Sequence, residues 1–329
     1  MQKGRYMKKI LITGGAGFIG FHVARALLES GESVIVIDNL NDYYDVSLKR
    51  ARLTELEKTG GKRSFRFFKA ALENYDALKI IFDENSIGKV CHLAAQAGVR
   101  YSIENPFSFI QSNGVGFLNI LELSKDSEVD NFVYASSSSI YGNNSKVPFS
   151  ENDLVNKPIS LYAATKRSNE LIAHVYAHLY GIPCTGLRLF TVYGPWGRPD
   201  MAYFTFTKKI MNDEPIEVFN RGRMQRDFTF IDDIVSGIIA SLNNPFTYEI
   251  INLGNNHTVE LTYFIQCIED ALGKKAEKIY RDKPPGDVLR TWADISRAQK
   301  MLGYSPTVNI EQGIERFIQW ATSYLSAEK

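Results

Sequence analysis

The chain is poor in several things that would place a protein quickly. It has only three cysteines, Cys91, Cys184 and Cys267. An odd, widely spaced set in apolar surroundings excludes a disulfide framework and predicts reduced thiols and a cytoplasmic home. Neither sign of charge is in excess: 38 Lys and Arg face 37 Asp and Glu, a net charge of +1. That balance supplies no general field for nucleic acid or an anionic membrane, so any bound anion must be held by a local site. No apolar run approaches the roughly 18 residues of a membrane span. "KKILITGG" follows the first residues without a separate apolar segment and cleavage site, which predicts no secretory signal. Internal repeats and low-complexity tracts are missing as well. The first six residues, "MQKGRY", precede an apparent second start at Met7 and read as a disordered extension.

What is present is an alternation. A chain of 329 residues suits about two domains. In the first half, short apolar runs such as "KKILITG", "SVIVID", "KVCHLAA" and "NFVYASSS" are separated by helical patterns, among them "FIGFHVARALLESG". Such spacing predicts a parallel sheet covered on both faces. The turn-rich stretch "GPWGRPD" then breaks the pattern. The expected architecture is α/β: a doubly wound parallel sheet over residues 1–190 and a smaller C-terminal α/β domain over 191–329. A segment near 228–255, containing "EIINLGN", is expected to return to the first sheet.

Two patterns carry chemistry. "GGAGFIG" sets Gly14, Gly17 and Gly20 directly after a strand and before a helix. Glycines there permit a tight turn and close approach of a pyrophosphate to free helix N–H groups. Asp38 ends the second strand, where a carboxylate hydrogen-bonds a ribose diol and repels a 2′-phosphate, so NAD is favoured over NADP. The second pattern is "SLYAATK", with Tyr162 and Lys166 four apart and hence on one helix face. The spacing alone is weak, since Tyr75 and Lys79 share it. Next to a nicotinamide site it gains meaning. A phenol titrates near 10, and lowering it to neutrality takes about 4 kcal/mol, which a cation about 4 Å away can supply at an effective dielectric near 20. Tyr162 is then the general acid and base and Lys166 its activator. The serine run Ser136 to Ser139 follows a strand, at the end where open α/β sheets bind ligands.

The glycine pattern, "HLAA", "SSSSIYG" and the Tyr-x-x-x-Lys pair resemble the extended short-chain dehydrogenase/reductase superfamily, nucleotide-sugar branch. More closely, "AAQAGVRYSIENP", "SLYAATKRSNEL", "TVYGPWGRPDMA" and "RDFTFIDDIV" are similar to UDP-glucuronate 4-epimerases, over residues 8–322 or so. The resemblance implies a Rossmann domain with a substrate domain, assembled as a homodimer and carrying tightly bound NAD. It implies reversible C4 epimerisation of UDP-glucuronate to UDP-galacturonate through a transient 4-keto sugar. Tyr162, Lys166 and Ser137 match the catalytic positions. Gly14, Gly17, Phe18, Ile19, Gly20, Asp38, Asn39, Leu93, Ala94, Ala95 and Asn113, with Tyr162 and Lys166, match the cofactor wall. Arg226 and Asp287 match holders of the nucleotide's diphosphate and ribose. Ser138, Ser139, Thr191 and Arg198 are candidates for the sugar carboxylate, Arg198 through its planar fork unless it is a solvated turn residue or a partner of Asp200. That carboxylate needs a holder because a 4-keto uronate is a β-keto acid and loses CO₂ when the breaking bond aligns with the ketone. One departure is Ala71, which stands where relatives carry an Asp toward adenine.

The nearest alternatives are a UDP-glucose or UDP-N-acetylglucosamine 4-epimerase and a UDP-glucuronate decarboxylase. A 4,6-dehydratase would carry Asp-Glu at Ser138 and Ser139, and a non-catalytic dinucleotide sensor would lack Tyr162 or Lys166. His174 and His178 share a helix face without the carboxylate of a metal motif, so no metal is expected. Asp232 and Asp233 read as a helix N-cap. Tyr203, Phe204 and Phe206 suit either uracil stacking or core packing.

Overall fold

The computed structural model describes residues 8–282 and 288–327; Met7 and the segment before it lie outside them. The centre is a sheet of seven strands. In chain order these are β1 (Lys9–Thr13), β2 (Val34–Asp38), β3 (Phe65–Lys69), β4 (Ile87–His92), β5 (Asn131–Ser137), β6 (Cys184–Leu189) and Tyr248–Leu253. Their spatial order is β3-β2-β1-β4-β5-β6 and then Tyr248–Leu253, and every neighbouring pair is parallel. The strand Tyr248–Leu253 pairs along β6 with Ile250 opposite Gly186.

The helices before residue 181 are α1 (Phe18–Glu29), α2 (Val46–Ser64), α3 (Tyr75–Asp83), α4 (Tyr101–Glu104), α5 (Pro106–Phe109), α6 (Gly116–Asp126) and α7 (Leu161–Tyr180). They cover both faces because the strands are apolar on both. In β2, Val34 and Val36 enter one core with α1, α2 and the helix Ile231–Asn243, while Ile35 and Ile37 enter the other with α3, α6 and α7. Each such side chain contributes about 2 kcal/mol of burial. The chain is thus a doubly wound Rossmann-type α/β fold. β3, "FRFFK", is not among the strands read from the sequence; it is a half-exposed edge strand.

The rest of the chain builds a smaller layer from short strand pairs, Thr191–Tyr193 with Phe228–Phe230 and Ile216–Phe219 with Lys278–Arg281. Helices Ala202–Met211, Leu261–Leu272 and Ile310–Ala327 cover them. Tyr203, Phe204 and Phe206 are buried here, with Tyr203 edge-on to Phe317 at 4.9 Å. Core packing is therefore their role. The N-cap reading of Asp232 and Asp233 is corrected. The cap residue is Phe230, and both acids sit in the first helical turn. Asp233 instead accepts the N–H groups of Thr307 and Val308 at 3.0 and 3.2 Å, and Asp232 pairs with Arg316 at 2.6 Å. Tertiary contacts outcompete the local cap.

Candidate active site

The sheet order reverses between β1 and β4, the place where open α/β sheets form a ligand crevice beyond their C-terminal strand ends. A cavity of about 460 Å³ opens there. Its walls include Gly14, Gly17, Phe18, Ile19, Gly20, Asp38, Asn39, Leu93, Ala94, Ala95, Ser137, Ser138, Ser139, Tyr162, Lys166, Thr191 and Arg198. One space therefore joins the glycine turn, the Tyr/Lys pair and the candidate sugar contacts. A second cavity of about 560 Å³ lies around Glu151, Arg167, His174 and Arg297 and shares none of these residues. Its arginines already face carboxylates, Arg297 with Glu249 at 3.2 Å and Arg167 with Glu170 at 2.8 Å. We assign the chemistry to the first.

The glycine turn is closed by steric need. Gly14 has φ +72, and a Cβ on it would meet Ala94 Cα at 2.7 Å. A Cβ on Gly20 would lie 2.2 Å from the Gly14 carbonyl, so α1 packs directly on the turn and presents its N-terminus to the cavity. Asp38 is buried and ties the same region together. One carboxylate oxygen accepts the Ala16 N–H at 3.1 Å, the other the Leu40 N–H at 2.9 Å. These features fit a dinucleotide: a cradle free of side chains, helix N–H groups for phosphate, and a carboxylate at the second strand's end.

Ser160 caps α7 by accepting the Ala163 N–H at 3.1 Å, which starts the helix just before Tyr162. Lys166 is buried one turn on and donates to the Ala135 carbonyl of β5 at 2.8 Å; burial pulls its ammonium down to about 8. The half-buried Tyr162 is pushed up by burial, against the pull of the Ser137 hydroxyl and the Arg198 guanidinium. Lys166 is not among the groups shifting it. The expectation that Lys166 draws this phenol toward neutrality is thus corrected for this structure: the ammonium is turned to Ala135, and the Tyr162 phenol is protonated at neutral pH.

Ser137 Oγ accepts from the Ser139 N–H at 3.2 Å and the Ser139 hydroxyl at 2.9 Å, shaping the short turn Ser138–Tyr141. Ser136 differs from its neighbours. It donates to buried Glu170 at 2.7 Å, and Glu170 takes two bonds from buried Arg188 at 2.9 and 3.0 Å. Burial works against the Glu170 charge, but the Arg188 guanidinium holds it below its usual range. This ion pair stands behind the serine run and fixes it to α7.

Asn113 does not line the cavity. It receives the Gln96 N–H at 2.8 Å and donates to the Gln96 carbonyl and to Thr165 Oγ1 at 3.0 and 3.1 Å. Thr165 in turn donates to the Tyr162 carbonyl at 2.8 Å. Asn113 thus locks the loop after β4 to the first turn of α7. Arg198 reaches the cavity with its fork engaged: both Nε and a terminal nitrogen donate to Asp200, which also accepts from Tyr43 at 3.1 Å. Burial and the Asp200 charge push the Tyr43 phenol up to about 12. Arg226 lies outside the cavity wall and donates to the carbonyls of Gln225 and Leu289 at 3.0 and 3.3 Å. Asp287 lies outside the described residues. On either side of Ala71, apolar Ala70 and Leu72 line the cavity. His174 sits edge-on to Tyr248 at 4.9 Å, and the described residues contain no cluster of metal-ligating side chains.

Sequence reading missed Tyr43 and Lys49, which line this cavity; Asp200, which lines it too, is foreseen only as a possible partner of Arg198. Lys49 is buried and donates to the Asn41 backbone and side-chain oxygens at 2.7 and 2.6 Å. The signal was available: "NLNDYYDVSLK" directly follows Asp38, at a strand end that faces ligand.

Comparison with known proteins agrees with this geometry. The NAD dependent epimerase/dehydratase family matches residues 10–254. The chain is 49% identical to a UDP-glucuronate 4-epimerase of Thermodesulfobacterium geofontis, over 94% of this chain and 95% of that one. Among solved structures it is similar to the UDP-glucuronic acid 4-epimerase of Bacillus cereus in complex with UDP-glucuronic acid and NAD. The TM-score is 0.89 and the identity 38%, covering 96% of this chain and 99% of that one. A UDP-glucose 4-epimerase of Thermotoga maritima with UDP-glucose gives a TM-score of 0.88 at 31% identity, covering 96% and 99%.

Proposed function

Because the chain belongs to the NAD dependent epimerase/dehydratase family, we propose that it is the isomerase that interconverts UDP-glucuronate and UDP-galacturonate by inverting C4. The observation that carries this reading is the single cavity running from the glycine turn and Asp38, past Ser137, Tyr162 and Lys166, to Ser138, Ser139, Thr191 and Arg198. The named activity of relatives at 49% and 38% identity supports the uronate over the neutral sugar.

Gly14, Gly17, Gly20 and Asp38 hold NAD, which when bound supplies a hydride acceptor and donor at sugar C4. Tyr162 exchanges the O4 proton, Ser137 orients that oxygen, and in this reading Lys166 turns from the Ala135 carbonyl to the phenol as the proton leaves, where its charge favours the phenolate. Ser138, Ser139 and Thr191 offer hydroxyls to the sugar carboxylate, and Arg198, pinned by Asp200, aims positive charge at it. Holding the carboxylate keeps its C–C bond out of line with the C4 ketone and so prevents loss of CO₂. Arg226 and Asp287 are the nucleotide contacts in this reading.

We also infer a homodimer. Leu171, Val175 and Leu179 are exposed at successive turns of α7, beside exposed Ile103, Phe107, Ile110 and Leu118 of the adjoining helices. Three buried free thiols support a cytoplasmic site, and no described helix is long and apolar enough to cross a membrane. The test is incubation with UDP-glucuronate and no added nicotinamide. UDP-galacturonate is the expected product; UDP-xylose or a 4-keto pentose would overturn the assignment in favour of decarboxylation.

A further inference from the structure

Arg52 is fully buried on α2, and among the described residues no carboxylate pairs with it. Its guanidinium instead donates to the carbonyl of Ala16 at 2.9 Å and the Tyr44 hydroxyl at 2.7 Å through one nitrogen. The other reaches the carbonyls of Trp196 at 2.5 Å and Gly197 at 3.0 Å. Ala16 belongs to the glycine turn, and Trp196 and Gly197 immediately precede Arg198. The second turn is also strained: Trp196 has φ +58, a left-handed conformation costly for a bulky residue. The preceding Pro195 carbonyl is held by His22 of α1, with its ring Nε2 at 2.8 Å. Three successive carbonyls, at residues 195 to 197, are thus gripped from the two helices that frame the cofactor cradle. An unpaired buried cation is an expensive way to gain stability alone.

We infer that Arg52 is a positioning residue that couples the two half-sites, binding the glycine turn under the cofactor to the strained turn that aims Arg198, so that occupancy of each favours the other. The inference rests on the uronate reading above. Coupling of this kind is reciprocal in the two affinities and is commonly about 5- to 150-fold.

The test uses the inactive Tyr162→Phe chain, stripped of bound nicotinamide and read by NADH fluorescence, with and without UDP-glucuronate. In Tyr162→Phe, UDP-glucuronate should tighten NADH about tenfold; in Tyr162→Phe with Arg52→Lys the tightening should shrink to less than about twofold. Arg52→Lys keeps a buried cation, and in the otherwise unaltered enzyme it should raise KM for UDP-glucuronate several-fold more than it lowers kcat. Undiminished tightening in the Arg52→Lys chain, or none in Tyr162→Phe despite UDP-glucuronate binding, would overturn the coupling while leaving the proposed function intact. If UDP-glucuronate fails to bind Tyr162→Phe at all, the functional reading falls and the coupling with it.

Discussion

Burial keeps the Tyr162 phenol protonated in this structure, while the Lys166 ammonium beside it is pulled down to about 8. In the proposed mechanism Tyr162 therefore waits as an acid and must become a base when a sugar hydroxyl arrives. Removing the phenol oxygen removes that exchange: Tyr162→Phe should lower kcat by about 10²- to 10⁴-fold while retaining NAD, measured by product formation and bound nucleotide. Undiminished turnover would end the assignment. Lys166 gives a prediction in stability. Its ordinary value is 10.5 and its folded value about 8, so the unfolded chain binds more protons across that interval. The cost of burying the charge, about 3 kcal/mol, is complete below pH 8 and is relieved as pH rises through that window. Lys166→Met leaves the Ala135 carbonyl without its donor, a loss of about 1 kcal/mol. In protein stripped of nicotinamide, the Met variant should still be the more stable at pH 7 by urea unfolding. Its advantage should shrink at pH 9.5, and an advantage that grows with pH would refute the burial argument.

Helix α1 is placed by contact rather than by capping. It has no side-chain cap at Gly17, and Gly20 lies flush on the Gly14 carbonyl because nothing larger fits. Gly20→Ala should therefore push α1 off the turn, costing about 1–3 kcal/mol in urea unfolding and leaving the purified protein depleted of NAD; full cofactor content at parental stability would show that the contact is dispensable. This geometry was legible from the sequence, because a strand, a G-x-x-G-x-x-G turn and a helix in immediate succession have few ways to fold. The helix face shared by Tyr162 and Lys166 was legible for the same reason. Other features were not. The β3 strand is short and half-exposed, so its alternation is faint beside the charges of "GGKRS". Asp200 meets Tyr43 across 157 positions, and Asp233 serves residues 307 and 308 rather than its own helix. Contacts so remote in the chain leave no local pattern.

At the scale of the whole molecule, the unexplained surface is apolar. Phe107 is 83% exposed, Ile103 70%, Leu179 61% and Val175 47%, and they lie on helices that pack side by side. Scattered single apolar residues need no partner, but a stripe across three adjoining helices does. The stripe is self-complementary only about a two-fold axis, which sets the same residues of two copies against one another. In that arrangement each substitution enters the interface twice, so a carboxylate introduced there is both desolvated and faced by its copy. Phe107→Glu combined with Val175→Glu should accordingly yield monomers at micromolar concentration by sedimentation velocity, where the parent should sediment as a dimer. Because both side chains point to solvent within one chain, the urea midpoint of the monomer's fold should change little. Persistence of the dimer in this double variant would place the association on another face. A dimer lost together with the fold would mean instead that these helices depend on the interface to stay folded.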